Sequence, residues 1–540
     1  MAFPSVRSTR FSRPHNAASR NRLVVALVLL GACELAAPGA DERATPAPRE
    51  RPNIIVIMAD DLGYGDVSCY GSTVFKTPSI DRLAAEGHRF TSGYCSASTC
   101  TPTRYSFLTG TYAFRTKGTG IAPPNGPAII RPGTPTLPSL LRDAGYRAAV
   151  IGKWHLGLGD KEPDWNGTLA PGPLEIGFDE CFLLPTTNDR VPQVYVEGHR
   201  VLNLDPSDPL TVSDKPIAPN EPTGVSHRDT LRMNWSHGHN GTIHNGISRI
   251  GFYTGGTAAR FRDEDLADTW VKKSKAFIAA NKDRPFFLFF ASHDNHVPRM
   301  PHERFHGKSG TGLRGDAVLE LDWCVGEIMA TLDTHGLATN TLVIFCSDNG
   351  PVLDDGYEDG AVTELGGHHP TGPFSGGKYT VLEGGTRTPF ITRWPGRIPV
   401  GESDEVVCTI DVAASCAALV NAPLPAHACL DSLDIHSALL GEPDAQGRTD
   451  LLQQDNGTKG TQGNFGLRSG DWKLIRLVNA PGGQAVISKQ PLPKPAKRHS
   501  LYSLADDPGE RNDVSQQHPK KTAELIQRLD AILTDGQTRP

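Results

Sequence analysis

Four apolar runs in this chain end in side chains that can bind a cation or move a proton. Ile54-Ile55-Val56-Ile57-Met58 leads into Ala59-Asp60-Asp61, and Ala148-Ala149-Val150-Ile151 leads into Gly152-Lys153-Trp154-His155. Phe286 to Phe290 runs into Ala291-Ser292-His293-Asp294-Asn295-His296, and Leu342-Val343-Ile344-Phe345 into Cys346-Ser347-Asp348-Asn349-Gly350. Carboxylate and amide oxygens are the hard donors that Ca²⁺ and Mg²⁺ require. A histidine changes charge near neutral pH and so can pass a proton. One Asp pair after a strand is ordinary turn or cap chemistry. Four such ends in one chain are better explained by a shared site, because open α/β sheets bind ligands at the carboxyl ends of their strands.

The sharpest motif is Cys100-Thr101-Pro102-Thr103-Arg104, followed by Leu108-Thr109-Gly110. Cys-x-Pro-x-Arg in this setting resembles the formylglycine sulfatases, and the resemblance runs over roughly residues 51 to 535. It implies an alkaline phosphatase-like fold and hydrolysis of sulfate esters. It also implies that Cys100 is oxidised to formylglycine by a formylglycine-generating enzyme during export. The hydrated aldehyde attacks sulfur with one hydroxyl; the second then re-forms the aldehyde and expels sulfate by breaking the carbon–oxygen bond, a covalent mechanism with its own release step. Carried over residue by residue, the family's metal site is Asp60, Asp61, Asp348, Asn349 and the modified Cys100, with Ca²⁺ as the ion, and Asp348 doubles as a candidate base.

Gly152-Lys153-Trp154-His155-Leu156-Gly157 matches the family's segment that assigns Lys153 to sulfate and His155 to the nucleophile. Gly377-Lys378 before Glu383-Gly384-Gly385-Thr386-Arg387-Thr388-Pro389 matches the segment whose lysine contacts sulfate, which is Lys378 here. Arg104 is the third candidate cation. His296-Val297-Pro298 matches the family's His-x-Pro, the general acid toward the leaving alcohol, with His293 as the competing candidate. One departure is Thr111, where the family often has Arg.

These side chains need a rigid frame. Uninterrupted apolar runs indicate strands buried on both faces, as in a parallel sheet. Ser79 to Glu86, stopped by Gly87, reads as a helix. So does the segment carrying Leu321, Val325, Ile328, Met329 and Leu332, stopped by Gly336. Alternating strands and helices predict an α/β fold with a large mixed, mostly parallel sheet flanked by helices. The end of the chain differs. Phe465-Gly466-Leu467-Arg468 and Trp472-Lys473-Leu474-Ile475 flank Ser469-Gly470-Asp471 as a hairpin, Leu501 to Leu504 is another strand, and Leu525, Leu529, Ile532 and Leu533 share a helix face. A catalytic domain over 52–440 and a C-terminal α+β subdomain with an antiparallel sheet over 441–540 follow. The polar, Pro-rich and His-rich stretch 201–247 reads as long surface loops. Its His227, His237, His239 and His244 lack metal spacing and read as loop residues at the substrate rim.

Arg7, Arg10, Arg13, Arg20 and Arg22 precede the apolar run Leu23 to Leu30, the pattern of an export signal over 1–33. Leu30-Gly31-Ala32-Cys33 resembles a bacterial lipobox, which would place lipid on Cys33, the alternative being a plain signal peptide cleaved near Gly31 or Ala32; an Ala- and Pro-rich tether over 34–51 follows. The expected location is the periplasm or cell surface of a bacterium. A net charge of −6 with dispersed Lys and Arg excludes a nucleic-acid footprint. Export permits disulfides among the remaining cysteines, whose pairing the spacing does not give. A sulfated small molecule or glycan is the implied substrate. The rival readings are a phosphate or phosphonate ester hydrolase on the same scaffold, and a glycan-binding lipoprotein without activity. The last predicts loss of a key residue, and none is lost.

Mass spectrometry of the active protein is expected to show an aldehyde or its hydrate at residue 100. Full activity from a protein carrying the intact Cys100 thiol would remove this mechanism.

Overall fold

The computed structural model describes residues 51–456, 460–478 and 498–540. The export signal with Cys33, and the tether up to residue 50, lie outside the described residues. The described residues form one compact unit.

A ten-stranded sheet organises this unit. Its spatial order is Gly401–Ser403, His88–Phe90, Phe390–Arg393, Thr341–Ser347, Asn53–Ala59, Phe286–Ala291, Arg147–Lys153, Glu180–Leu184, Val196–Glu197 and Arg200–Val201. We label the four central strands in chain order: β1 (Asn53–Ala59), β2 (Arg147–Lys153), β3 (Phe286–Ala291) and β4 (Thr341–Ser347). They pair in parallel, β4-β1-β3-β2, and Glu180–Leu184 adds to β2 in the same sense. Antiparallel strands lie outside them on both sides. The sheet is thus mixed and mostly parallel, as the apolar runs predicted.

Side chains alternate between the two faces of a strand. Ile54, Val56 and Met58 accordingly enter one core with Phe107, Leu108, Leu137, Leu141 and Val412. Ile55, Ile57 and Ala59 enter the other, with Trp270, Phe277, Leu321, Val325 and Ile328. Helix α1 (Cys100–Thr109) lies on the first face; helices α2 (Leu266–Ala280) and α3 (Gly312–Thr334) cover the second. In α2 the buried Trp270, Val271, Ser274, Phe277 and Ile278 follow the three-and-four spacing of a helix face.

Near the C-terminus the strands Asp450–Gln454, Phe465–Ser469, Trp472–Arg476 and His499–Ser503 form a separate antiparallel sheet in that order. The final helix, α4 (Pro519–Thr534), buries Leu525, Leu529 and Leu533 against it, with Ile532 at the margin. Most of the stretch 201–247 is exposed or half-buried loop, as expected, but parts of it pair and its end folds inward. Thr211–Ser213 pairs with Phe252–Thr254, Ile243–His244 pairs with Ile247–Ser248, and His239 and His244 are buried. Both ring nitrogens of His244 are bonded, one to the Phe261 carbonyl at 2.7 Å and one to the Tyr253 hydroxyl at 2.8 Å, so its polarity is satisfied without water. The nine described cysteines are all free thiols.

One buried charge cluster ties the C-terminal sheet to the main body. Lys473 Nζ donates to Glu383 Oε1 at 2.8 Å and lies 3.0 Å from Glu510 Oε1, all without exposure. Burial works to raise the Glu383 carboxyl, but Lys473, Arg387 and Arg468 bring it down to about 2. Burial pushes Glu510 up to about 7 against the pull of Lys473. Lys473→Met leaves two buried carboxylates without their shared cation, so urea melts at pH 7 should show a loss of roughly 3–5 kcal/mol. Without the lysine both folded-state pKa values rise, that of Glu510 further above the unfolded value and that of Glu383 upward from about 2 against the remaining pull of Arg387 and Arg468. The variant's deficit should therefore grow as pH rises and shrink toward pH 5, where the orphaned carboxyls take up protons. A variant as stable as the parent at pH 7 would refute this role.

Candidate active site

The carboxyl ends of β1, β2, β3 and β4 converge on one point, and α1 starts beside it. Asp60, Asp61, Lys153, His155, Asp348 and Asn349 are fully buried, as is Arg104; Cys100, His296 and Lys378 are nearly so. The sequence-predicted residues are therefore all brought together.

Charge is matched pair by pair. Lys153 Nζ donates to Asp60 Oδ2. Lys378 Nζ donates to Asp61 Oδ2 at 2.9 Å and to Asp355 Oδ2 at 2.7 Å. Arg104 Nε donates to Asp348 Oδ2 at 2.9 Å, and its Nη1 to the Lys153 carbonyl at 3.0 Å. Asn349 Nδ2 donates to Asp61 Oδ1 at 2.7 Å. Asp61 holds its position with φ of 54°, a left-handed conformation that asparagine and aspartate adopt more readily than most residues.

The balance still leaves excess negative charge. Burial, reinforced by Asp348, pushes Asp60 up to about 8 despite Lys153, and burial also raises Asp61. Asp60 Oδ1 and Asn349 Oδ1 are buried without a hydrogen-bond partner among the described residues. One oxygen each of Asp60 and Asp61 and a ring nitrogen of His296 lie within 4.8 Å of one another. Unpartnered hard oxygens among carboxylates that burial disfavours as anions are the environment a divalent cation relieves. Asp60, Asp61, Asp348 and Asn349 thus fit such an ion, and Cys100 lies within electrostatic reach of Asp348 and Asp60. His296, close to the carboxylates, joins them in space without having been read as a ligand.

Carbonyl contacts define the histidine tautomers, since a carbonyl oxygen only accepts. His155 Nε2 donates to the Ala122 carbonyl at 3.1 Å, so its Nδ1 is bare and accepts from the Cys100 thiol at 3.1 Å. Burial, then Lys153 and Arg190, hold this imidazole well below its usual pKa, which keeps Nδ1 free to take a proton. His296 Nδ1 donates to the Val297 carbonyl at 2.7 Å, which turns Nε2 toward Asp61 at 4.0 Å. His293 is engaged elsewhere: the Trp270 indole donates to its Nδ1 at 3.2 Å, and burial lowers it to about 3. With Asp294 and Glu320 it forms a second buried polar group.

Sequence reasoning missed Asp355, which pairs with Lys378, and Asp189-Arg190. The latter follows the strand Glu180–Leu184 and repeats the strand-end pattern. The intervening Pro185-Thr186-Thr187-Asn188 separates it from the apolar run and hid it.

Comparison with known proteins agrees with this geometry. The sulfatase family model matches residues 52–422. An N-acetylgalactosamine-6-O-sulfatase of Bacteroides thetaiotaomicron is 47% identical over 487 residues, covering 90% of this chain and 94% of its own. Human arylsulfatase A is 32% identical over 495 residues, covering 88% and 86%. A solved structure from glycosaminoglycan metabolism in Bacteroides thetaiotaomicron superposes with a TM-score of 0.86 at 46% identity, covering 90% of this chain and 100% of that one.

Calcium added to metal-stripped protein should raise its stability by about 2.7 kcal/mol at a concentration 100 times Kd, by mass action. Asp60→Asn should abolish that shift in a thermal melt. An unchanged shift in the variant would exclude Asp60 as a ligand.

Proposed function

Since the chain belongs to the sulfatase family and is a sulfuric ester hydrolase, we propose that it removes the 6-O-sulfate of N-acetylgalactosamine in a sulfated glycan. The observation that carries the substrate is the 47% identity to an N-acetylgalactosamine-6-O-sulfatase over nearly the full length of both chains. The buried cluster of matched charges around Cys100 supports the chemistry.

Lys153 and Lys378 hold the sulfate oxygens, in a site where exclusion of water strengthens each contact. The chemistry a formylglycine hydrate supplies at position 100 is one hydroxyl to attack sulfur and a second on the same carbon for release. Asp60, Asp61, Asp348 and Asn349 would hold a divalent cation, which would supply positive charge toward the sulfate oxygens. The bare Nδ1 of His155 takes the proton from the oxygen on residue 100. His296 Nε2 gives a proton to the departing sugar oxygen. In the free protein burial, Lys378 and Lys153 hold His296 well below its usual pKa. A bound sulfate ester brings negative charge beside the ring and favours the protonated form. Arg104 keeps Asp348 in register with the strand ends.

Assays on 6-sulfated N-acetylgalactosamine, its 4-sulfated isomer and the matching 6-phosphate test this reading, with wild type and His296→Ala measured side by side. Wild type should release sulfate from the 6-sulfate and little from the others. A nitrophenolate leaves without a proton, whereas a sugar alkoxide needs one. The variant should therefore lose about 10²–10⁴-fold on the sugar sulfate and much less on nitrophenyl sulfate. No sulfate release from the 6-sulfated sugar would sink the substrate assignment; equal losses on both esters would remove His296 from the acid role.

A further inference from the structure

Beyond the sulfate-binding groups, one further cation lies near Cys100 and His155 and is unused by the mechanism. Arg190 sits on the loop after Glu180–Leu184 with its side chain 16% exposed. Burial works against its charge, Asp189 sustains it, and it lies within electrostatic reach of Cys100, Tyr379 and Asp355. All its side-chain hydrogen bonds to described residues run through Nη1, which donates to Thr187 Oγ1 and to both oxygens of Asp189, each at 3.0 Å. Nε and Nη2 have no hydrogen-bond partner among the described residues.

The surroundings hold this guanidinium from several sides. Asp189 is buried, and His239 Nε2 donates to its Oδ2 at 2.9 Å. His239 Nδ1 donates to the His237 carbonyl at 2.9 Å. Both ring nitrogens therefore face acceptors, which fixes the ring between Asp189 and the His237 carbonyl. The His239 ring packs on Tyr357 at 4.5 Å, and Gly356 makes room for it, since a Cβ there would meet His239 Nδ1 at 1.8 Å. Asn188 Nδ2 donates to the carbonyls of His296 and Pro298, at 3.3 and 3.2 Å, which ties the same loop to the proton donor.

Arg190 Nη1 reaches both oxygens of Asp189, so the guanidinium charge is partly offset while Nε and Nη2 keep their N–H groups uncommitted to described residues. Such a group suits neutral oxygens better than a sulfate, whose charge Lys153 and Lys378 are placed to meet. In a 6-sulfated sugar the hydroxyls nearest the sulfated carbon come next to a side chain flanking the sulfate. Resting on the proposed glycan 6-sulfatase reading, we propose that Arg190 is a specificity-determining residue that donates hydrogen bonds to those ring hydroxyls, with Asp189 and His239 as positioning residues. This gives the His-rich segment a purpose: it buttresses the sugar-reading wall from behind.

The test compares wild type with Arg190→Ala, Arg190→Lys and Asp189→Asn. The readouts are kcat/KM on 6-sulfated N-acetylgalactosamine and on its N-acetylglucosamine epimer, together with the inhibition constant of inorganic sulfate. Arg190→Ala should lose on the order of 10²-fold on the galacto substrate, as for one or two charge-assisted hydrogen bonds. It should also narrow the preference between epimers and leave sulfate inhibition within about threefold of wild type. Arg190→Lys keeps the charge without the planar fork and should recover less than tenfold of that loss. Asp189→Asn should act mainly through KM. Unchanged sugar-sulfate kinetics, or sulfate inhibition that weakens in parallel, would overturn the proposal. A wild type inactive on every 6-sulfated sugar would instead defeat the underlying substrate reading.

Discussion

Ionised groups with no water around them must be compensated by one another, and the carboxyl ends of β1 to β4 meet that condition at very high density. Asp60, Asp61 and Asp348 face Lys153, Lys378 and Arg104 with almost no exposure. Burying a charge without a partner costs several kcal/mol. The strand register, the start of α1 and the loops bearing Lys378 and Asp355 must therefore agree on one arrangement. The same condition explains why a metal fits. The cluster retains carboxyl groups that burial pushes toward the neutral form and oxygens that no donor reaches.

Rigidity of the site derives from the sheet and from what braces it. Parallel strands covered on both faces leave their ends little freedom, because each helix that packs on one face fixes the strand beneath it. The loop carrying His296 is pinned by Asn188, and the loop carrying Lys378 leads through Glu383 to Lys473 of the C-terminal sheet. The small sheet thus acts on the centre through a buried ion cluster, although none of its residues is among those read as site residues.

Much of this could be read from residue order. Continuous apolar runs identified the four central strands, and a period-two split of the same residues into two cores follows from pleat geometry alone. The hairpin around Ser469-Gly470-Asp471 and the last helix carried their own local signals. The edge strands, some of only two or three residues, left no pattern, since so short a run has no period to detect. In the stretch 201–247 polar composition gave the exposed loops but not the burial of His239 and His244, which paired hydrogen bonds satisfy inside the molecule.

By itself the sequence determined which chemical groups the protein owns and that they lie at strand ends, because strand period and motif spacing are local properties of the chain. It also carried the family resemblance in Cys100-Thr101-Pro102-Thr103-Arg104 and its companion motifs. Tertiary structure alone decided the partners: Asp355 with Lys378, Asp189 with Arg190 and His239, and which nitrogen of His155 faces residue 100. It also set two nearby histidines apart, with His293 toward Trp270 and His296 toward Asp61. These are contacts between residues far apart in the chain, and their energies depend on distance and burial, which no spacing along one strand encodes.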